Sequence, residues 1–113
     1  MNDRDRTVIE KIAKYCDEIK QTHEFFQNDK EKFYSDDGFV YRNSVTMPIL
    51  QIGELSKNLS DEFRNENATI PWKSIAGMRA VFAHHYGSID YELVWDTSRN
   101  DIQDLKTFCE SML

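Results

Sequence analysis

The stretch DRTVIEKIAKYCDEIKQTHEFF, residues 5–26, decides the fold class because its apolar side chains recur every three or four positions. That spacing gathers them on one face of an α-helix and leaves glutamate and lysine on the other. A first helix is therefore predicted over residues 5–26, with its histidine as a core residue in preference to a site residue. The apolar face consists of Val8, Ile12, Tyr15, Ile19, His23 and Phe26.

The same periodicity predicts three further helices, and no alternating strand pattern or internal repeat occurs. The turn Ser35–Gly38 precedes the second helix, and the charged residues just before it leave room for a short extra helix. The predicted fold class is all-α, an antiparallel bundle of four main helices. The three later helices are predicted over residues 39–63, 71–86 and 91–112.

Pro48 falls inside the second predicted helix. Because proline removes one helical hydrogen bond and crowds the preceding turn, it predicts either a bend near Met47 or a helix that starts there. At the other end of the chain, Ser88 and Asp90 are both suitable caps for the last helix.

The chain has 113 residues, enough for one hydrophobic core, and 40% hydrophobic with 30% charged residues is typical of a folded domain. Its formal net charge of −6 argues against a general nucleic-acid binder, because nonspecific affinity for a polyanion comes largely from Lys and Arg. A local basic cleft on an acidic body remains compatible with this charge.

Localisation and redox state follow from what the sequence lacks. No window is apolar enough to span a bilayer and the first six residues lack a signal-peptide apolar region, so a cytoplasmic protein is expected. Cys16 and Cys109 lie far apart without a CxxC pattern, which predicts two reduced, buried thiols and neither a zinc site nor a redox motif.

The segment GMRAVFAHHY, residues 77–86, ends an apolar run with polar side chains suited to phosphodiester chemistry. Arg79 offers a charged fork that matches phosphate oxygens, and His84 can exchange protons near neutrality. On one ideal helix Tyr86 nearly eclipses Arg79, but His84 points roughly 140° away. Either the helix unwinds before His84, which Gly87 permits, or a second copy of the chain completes the site across a two-fold axis.

Two other interpretations of this segment stay open. Arg79 can serve as a salt-bridge partner at the edge of the core, while His84 and His85 complement the dipole of a helix C-terminus. A metal site is not predicted, because adjacent histidines on a helix project about 100° apart and chelate poorly. No cofactor motif, such as a glycine-rich phosphate loop, is present.

The spacing Arg79…His84-His85-Tyr86 resembles the signature of HEPN-domain proteins, specifically the HepT-like toxins of MNT/HepT toxin–antitoxin systems. Three other segments resemble the family in the same order and extend the resemblance over most of the chain. These are Ile52-Gly53-Glu54, Ile70-Pro71-Trp72 followed by Ile75-Ala76-Gly77-Met78-Arg79, and Val94-Trp95-Asp96 with Leu105.

The resemblance implies a HEPN-like bundle and a metal-independent endoribonuclease that acts on RNA, not DNA. His84 would act as general base or acid at the ribose 2′-hydroxyl, Arg79 would stabilise charge on the phosphate, and Tyr86 would position it. His85 would support the site or contact the phosphate. Glu54 and Arg42 are supporting candidates on the second helix.

The resemblance also implies partners: a second copy of the chain, so that the site lies at a homodimer interface, and an MNT-type nucleotidyltransferase antitoxin. In this family the motif tyrosine, Tyr86 here, is a target for AMP transfer. One departure is Ala80, where the family usually has a polar residue, often Asn. It keeps two alternatives open: a non-catalytic nucleotide- or protein-binding HEPN module, and a chain that serves as acceptor for AMP transfer.

Overall fold

A computed structural model describes residues 1–82 and 88–113 of the chain. Within these residues the fold is a helical bundle, which confirms the predicted all-α class. His84, His85 and Tyr86 lie outside the described residues. The described helices are α1 (Asp3–Phe25), α2 (Lys30–Tyr34), α3 (Phe39–Ser56), α4 (Asp61–Glu66), α5 (Trp72–Ala76), α6 (Met78–Phe82), α7 (Tyr91–Arg99) and α8 (Asp101–Met112).

Helix α1 packs against α3 and α8. It begins after Asn2, whose side chain accepts a hydrogen bond of 2.7 Å from the backbone N–H of Asp5. Its predicted apolar face is buried or half-buried throughout. The chain reverses after it at Gln27 and Asn28, which adopt φ angles of 58° and 54°. The short extra helix that this region left room for is α2.

Helix α3 runs without interruption through Pro48, so the predicted helix start near Met47 is wrong and one long helix is confirmed. It ends at Ser56, however, and not at residue 63 as predicted. The cause is Ser60, which adopts an extended conformation and caps a new helix, its hydroxyl accepting a 3.1 Å hydrogen bond from the N–H of Phe63. The buried carboxylate of Asp5 accepts hydrogen bonds from both the N–H and the hydroxyl of Ser60 and so holds this break in place.

The third and fourth predicted helices are also each divided in two. The break between α5 and α6 falls at Gly77, and glycine is a residue type that destabilises the interior of a helix. The break between α7 and α8 falls at Asn100, whose φ of −115° and ψ of −71° depart from helical values. Periodicity does not reveal these breaks because the apolar stripe stays buried across each of them. Asp90, one of the two predicted caps, accepts a hydrogen bond from the N–H of Leu93 at the start of α7.

His23 is confirmed as a core histidine, 1% exposed. Its Nδ1 lies 2.5 Å from the hydroxyl of Tyr41, and its Nε2 lies 2.8 Å from the hydroxyl of Ser98. Because the Ser98 hydroxyl donates to the carbonyl of Trp95, Nε2 carries the ring proton and Nδ1 accepts from Tyr41. Burial, followed by the charge of Arg99, lowers the pKa of His23 to about 4, so the ring is neutral at pH 7.

The two thiols are buried and free, as predicted. Burial is the main cause that raises the pKa of both, that of Cys109 to about 12. They pack in the core between α1 and α8 as small apolar groups. Across the described ranges, no helix combines the length and the apolar character that crossing a membrane requires.

Candidate active site

Arg79 is placed on the surface by the short helix α6. This helix buries Met78 and Phe82 in the core and leaves Arg79, Ala80 and Val81 exposed. None of the ion pairs within residues 1–82 and 88–113 includes Arg79. An exposed guanidinium in such a position has its donors available for an anionic ligand such as a phosphate.

Close packing against α3 fixes the position of α5 and, through it, of α6. A methyl group added to Gly53 would lie only 3.0 Å from the carbonyl oxygen of Ile75, so the glycine allows the two backbones to approach. Gly77 then separates the two short helices, and the N–H of Val81 bonds to its carbonyl at 3.1 Å as α6 begins. Arg79 therefore lies in the first turn of a new helix and not near the end of a long one.

The end of α6 and the start of α7 are joined by the backbone. The N–H of Asp90 donates a hydrogen bond of 2.7 Å to the carbonyl oxygen of Phe82. We call this contact the clasp. It holds side by side the two described ends of the segment that carries His84, His85 and Tyr86, and it lies within about one helical turn of Arg79.

Glu54, the first supporting candidate, is exposed on α3 beside Gly53. Its carboxylate pairs with the ammonium group of Lys57 at 3.2 Å, one turn further along the helix. Both side chains are about half exposed, so the pair contributes little to stability. The structure places Glu54 on the same helix that supports α5, and none of its described contacts is with Arg79.

Arg42, the second supporting candidate, is half-buried and already occupied by structural contacts. One terminal nitrogen donates to the carbonyl of Phe33 at 2.6 Å and to that of Ser35 at 2.7 Å. Its guanidinium also lies over the ring of Tyr91, 5.4 Å from the centroid. These contacts tie α2 and α3 to the first residue of α7.

Among the described residues, no cluster of three or more His, Cys, Asp or Glu side chains is arranged to hold a metal ion. The predicted pair His84 and His85 lies outside these residues, as does Tyr86. Of the predicted site residues, the structure therefore places Arg79 on α6 and both supporting candidates on α3.

Two features of the site are missing from the sequence-based predictions. One is the role of Gly53, although a glycine within an apolar helical pattern is a known signal of close backbone approach. The other is the clasp between Phe82 and Asp90. It joins two backbone groups, and backbone hydrogen bonds across a loop leave no signature in side-chain identity.

Comparison with known proteins relates the whole chain to ribonucleases. The family model described as "Ribonuclease HepT-like" matches residues 9–112. A protein of Caldanaerobacter subterraneus subsp. tengcongensis named "Putative RNase TTE0752" is 34% identical over 103 residues, 88% of this chain and 91% of that protein. "Putative RNase MJ1216" of Methanocaldococcus jannaschii is 31% identical over 103 residues, 90% of this chain and 81% of that protein.

A shorter match links the chain to a protein that bears the family name. "Probable ribonuclease HepT" of Thermococcus cleftensis is 40% identical over 55 residues, 49% of this chain and 50% of that protein. No solved structure gives a significant match.

Proposed function

Because the chain belongs to the HepT-like ribonuclease family, we propose that it is a metal-independent endoribonuclease acting in the cytoplasm as the toxin of a toxin–antitoxin pair. The observation that carries this proposal is the exposed guanidinium of Arg79 next to the clasp. The clasp joins the described residues on either side of the segment with His84 and Tyr86, and this supports the proposal that the motif residues act together with Arg79.

The proposed reaction uses the 2′-hydroxyl of RNA as its nucleophile. His84 would take the hydroxyl proton, the 2′-oxygen would bond to phosphorus, and the bond from phosphorus to the 5′-oxygen would break. The leaving oxygen would receive a proton, which gives a 2′,3′-cyclic phosphate and a 5′-hydroxyl. Arg79 would stabilise the charge on the phosphate oxygens, Tyr86 would orient the phosphate, and His85 would contact it.

This mechanism can be tested by changing the nucleic-acid substrate. Single-stranded RNA and a tRNA pool are incubated with the protein in EDTA, beside the same single-stranded sequence made as DNA and as fully 2′-O-methylated RNA. We expect cleavage of the two unmodified RNAs, with cyclic-phosphate ends, and no cleavage of the other two because they lack the nucleophile. Cleavage of the DNA, or RNA products ending in a 3′-hydroxyl, would contradict the proposed mechanism.

We propose further that the active form is a homodimer, supported by an apolar face on the outside of α1 and α3. Phe25, Val40 and Met47 are 80%, 53% and 59% exposed there. They border a groove of about 750 Å³, and among the described residues that line it Glu18 alone is charged. A face with almost no charge allows two copies of an acidic chain to meet without strong repulsion. Helix α3 also packs against α6, and we propose that the two α6 helices of the dimer face a common cleft.

Mixing variants tests whether the site is shared. Arg79→Ala and His84→Ala are each expected to be inactive. If one copy supplies the arginine and the other the histidine, exchange of subunits between the two variants restores one of the two sites in each mixed dimer. Random exchange makes about half of the dimers mixed, so the mixture should recover about a quarter of the wild-type activity. The control is a mixture of wild type with Met47→Glu, a variant that places a charge on the apolar face. We expect no mixed dimer in this mixture. An inactive mixture of the first two variants, with dimers verified, would show that each site is built within one copy.

The proposed partner is an MNT-type nucleotidyltransferase that transfers AMP to Tyr86. An added AMP group would place bulk and negative charge where the RNA phosphate binds. Co-expression tests this: wild type should be neutralised by an active transferase and carry AMP on Tyr86, whereas Tyr86→Phe should escape. Full neutralisation of Tyr86→Phe would count against modification at this residue.

A second candidate function rests on Ala80, which is exposed beside Arg79. If the polar side chain usual at this position is needed for catalysis, the chain is a dimeric nucleotide- or protein-binding module, or chiefly an acceptor of AMP. RNA that wild type binds but does not cut, and that Ala80→Asn does cut, would favour this alternative.

A further inference from the structure

Arg42 connects two parts of the bundle that are far apart in sequence. Its two hydrogen bonds go to the carbonyl oxygens of Phe33, in the last turn of α2, and of Ser35, which also accepts a hydrogen bond from the N–H of Gly38. On its other side the guanidinium covers the ring of Tyr91. The ring of Phe33 meets the same tyrosine edge-on at 6.2 Å, so Tyr91 is held from two directions.

Tyr91 is the first residue of α7, and its neighbour Asp90 provides the N–H of the clasp. The described contacts therefore form a continuous path from the guanidinium of Arg42 to the Tyr91 ring, along one peptide bond to Asp90, and across to the carbonyl of Phe82. Phe82 ends the helix that carries Arg79. Displacement of the Tyr91 ring would move the donor of the clasp directly.

We propose that Arg42 is a positioning residue: through Tyr91 it holds the clasp that fixes both ends of the catalytic segment relative to Arg79. This inference rests on the proposed ribonuclease function. Both hydrogen bonds come from one terminal nitrogen, while the guanidinium carbon lies over the Tyr91 ring. The planar guanidinium is essential to the proposal, because the ammonium group of a lysine has no planar face to stack on an aromatic ring. Arg42 itself does not touch the substrate.

Four variants separate positioning from a general loss of stability. Arg42→Lys keeps the charge and loses the planar group, and Tyr91→Leu removes the ring that this group covers. Tyr91→Phe keeps the ring. The matched control Arg64→Lys makes the same chemical change at another partly exposed arginine, whose ion-pair partner among the described residues is Asp61 on its own helix.

The first measurement is amide hydrogen exchange at Asp90, which reports the clasp whether or not the protein cleaves RNA. We expect exchange about 10-fold faster in Arg42→Lys and in Tyr91→Leu, with the core amide of Ile12 unchanged. The double variant should be no faster than the more affected single one, because both act on one path. Wild-type exchange at Asp90 in Arg42→Lys, or an equal effect of Arg64→Lys, would overturn the proposal.

The second measurement is single-turnover cleavage of RNA. Arg42→Lys and Tyr91→Leu should cleave about 10-fold more slowly with RNA affinity within about two-fold of wild type, and Tyr91→Phe should match wild type. Faster exchange at Asp90 with an unchanged cleavage rate would show that the clasp does not position the catalytic groups and would also overturn the proposal. If wild type itself fails to cleave, the ribonuclease function fails, and the exchange data alone decide whether Arg42 holds the clasp.

Discussion

The backbone N–H of Asp90 donates a 2.7 Å hydrogen bond to the carbonyl oxygen of Phe82, and this contact closes the chain around the motif segment. Residues eight positions apart in sequence are thereby neighbours in space. This contact supports the proposal that the histidine between them in sequence acts together with Arg79.

The cap of α7 should contribute measurably to stability. The side chain of Asp90 accepts a 3.1 Å hydrogen bond from the N–H of Leu93, so Asp90→Ala should lower the free energy of unfolding by about 1 kcal/mol. The variant Asp90→Asn can still cap the helix and should retain most of this stabilising free energy. Urea titration measures the difference, with Asp36→Ala as a control at an exposed aspartate outside the helices. Equal stability of the Ala and Asn variants would refute the capping role.

The close approach of α3 and α5 should make Gly53 intolerant of a side chain. A Cβ atom there would lie 3.0 Å from the carbonyl oxygen of Ile75, a backbone atom that cannot move as freely as the end of a side chain. We therefore expect overpacking, which costs about 1–3 kcal/mol, to outweigh the roughly 1 kcal/mol that alanine gains in helix propensity. Gly77→Ala is the matched control, because its Cβ would meet nothing closer than 3.4 Å. We expect Gly53→Ala to unfold at lower urea concentration than Gly77→Ala. If Gly53→Ala unfolds at the higher urea concentration of the two, the close approach of α3 and α5 does not require a glycine at position 53.

The buried histidine should make stability depend on pH. The pKa of His23 is about 4 in the folded protein, below the ordinary histidine value of 6.5 that applies to the unfolded chain, so the unfolded chain binds a proton more readily. The stability that the neutral ring provides is present above about pH 6.5 and is lost progressively as the pH falls toward about 4, by up to about 3 kcal/mol. Urea titrations of wild type and His23→Gln at several pH values isolate this effect, because the carboxylates are common to both. A difference between the two proteins that stays constant from pH 7 to pH 4.5 would contradict it.

The side chain at position 80 should change the rate of RNA cleavage. Ala80 is exposed on α6, so Ala80→Asn adds an amide beside Arg79 without disturbing the core. One additional hydrogen bond to a charged phosphate in the transition state would raise the cleavage rate about 10-fold. Single-turnover cleavage measures this, with Val81→Asn as a control at the neighbouring exposed position. An equal response at both positions would show that position 80 has no special role.

Much of the fold follows from the sequence because helical periodicity reports burial directly. The stripe on α1, including His23, is predicted at the level of individual residues. The helix breaks at Ser60, Gly77 and Asn100 are not predicted. In each case the apolar stripe continues across the break, and the cause is a local backbone preference or a hydrogen bond from a distant residue such as Asp5.

Only part of the candidate site can be predicted from the sequence. The spacing of Arg79 and His84 indicates the chemistry, and the exposure of Arg79 is compatible with it. Angles on a helical wheel require a single helix through both residues, but α6 is described only from Met78 to Phe82 and His84 lies outside the described residues. Arg42 is predicted as a supporting residue, but neither its stacking on Tyr91 nor the clasp beyond it can be foreseen, because both depend on how distant segments pack.

The most direct test of the central claim compares wild type with His84→Ala, purified identically, for cleavage of single-stranded RNA in EDTA with the product ends identified. Substitution of exposed Glu10 by alanine provides a purification control. The account predicts cyclic-phosphate ends from wild type and from the control, and loss of at least roughly 100-fold in rate for His84→Ala, of the order expected for a general acid or base. Equal cleavage by wild type and His84→Ala, or no cleavage by either, would contradict it.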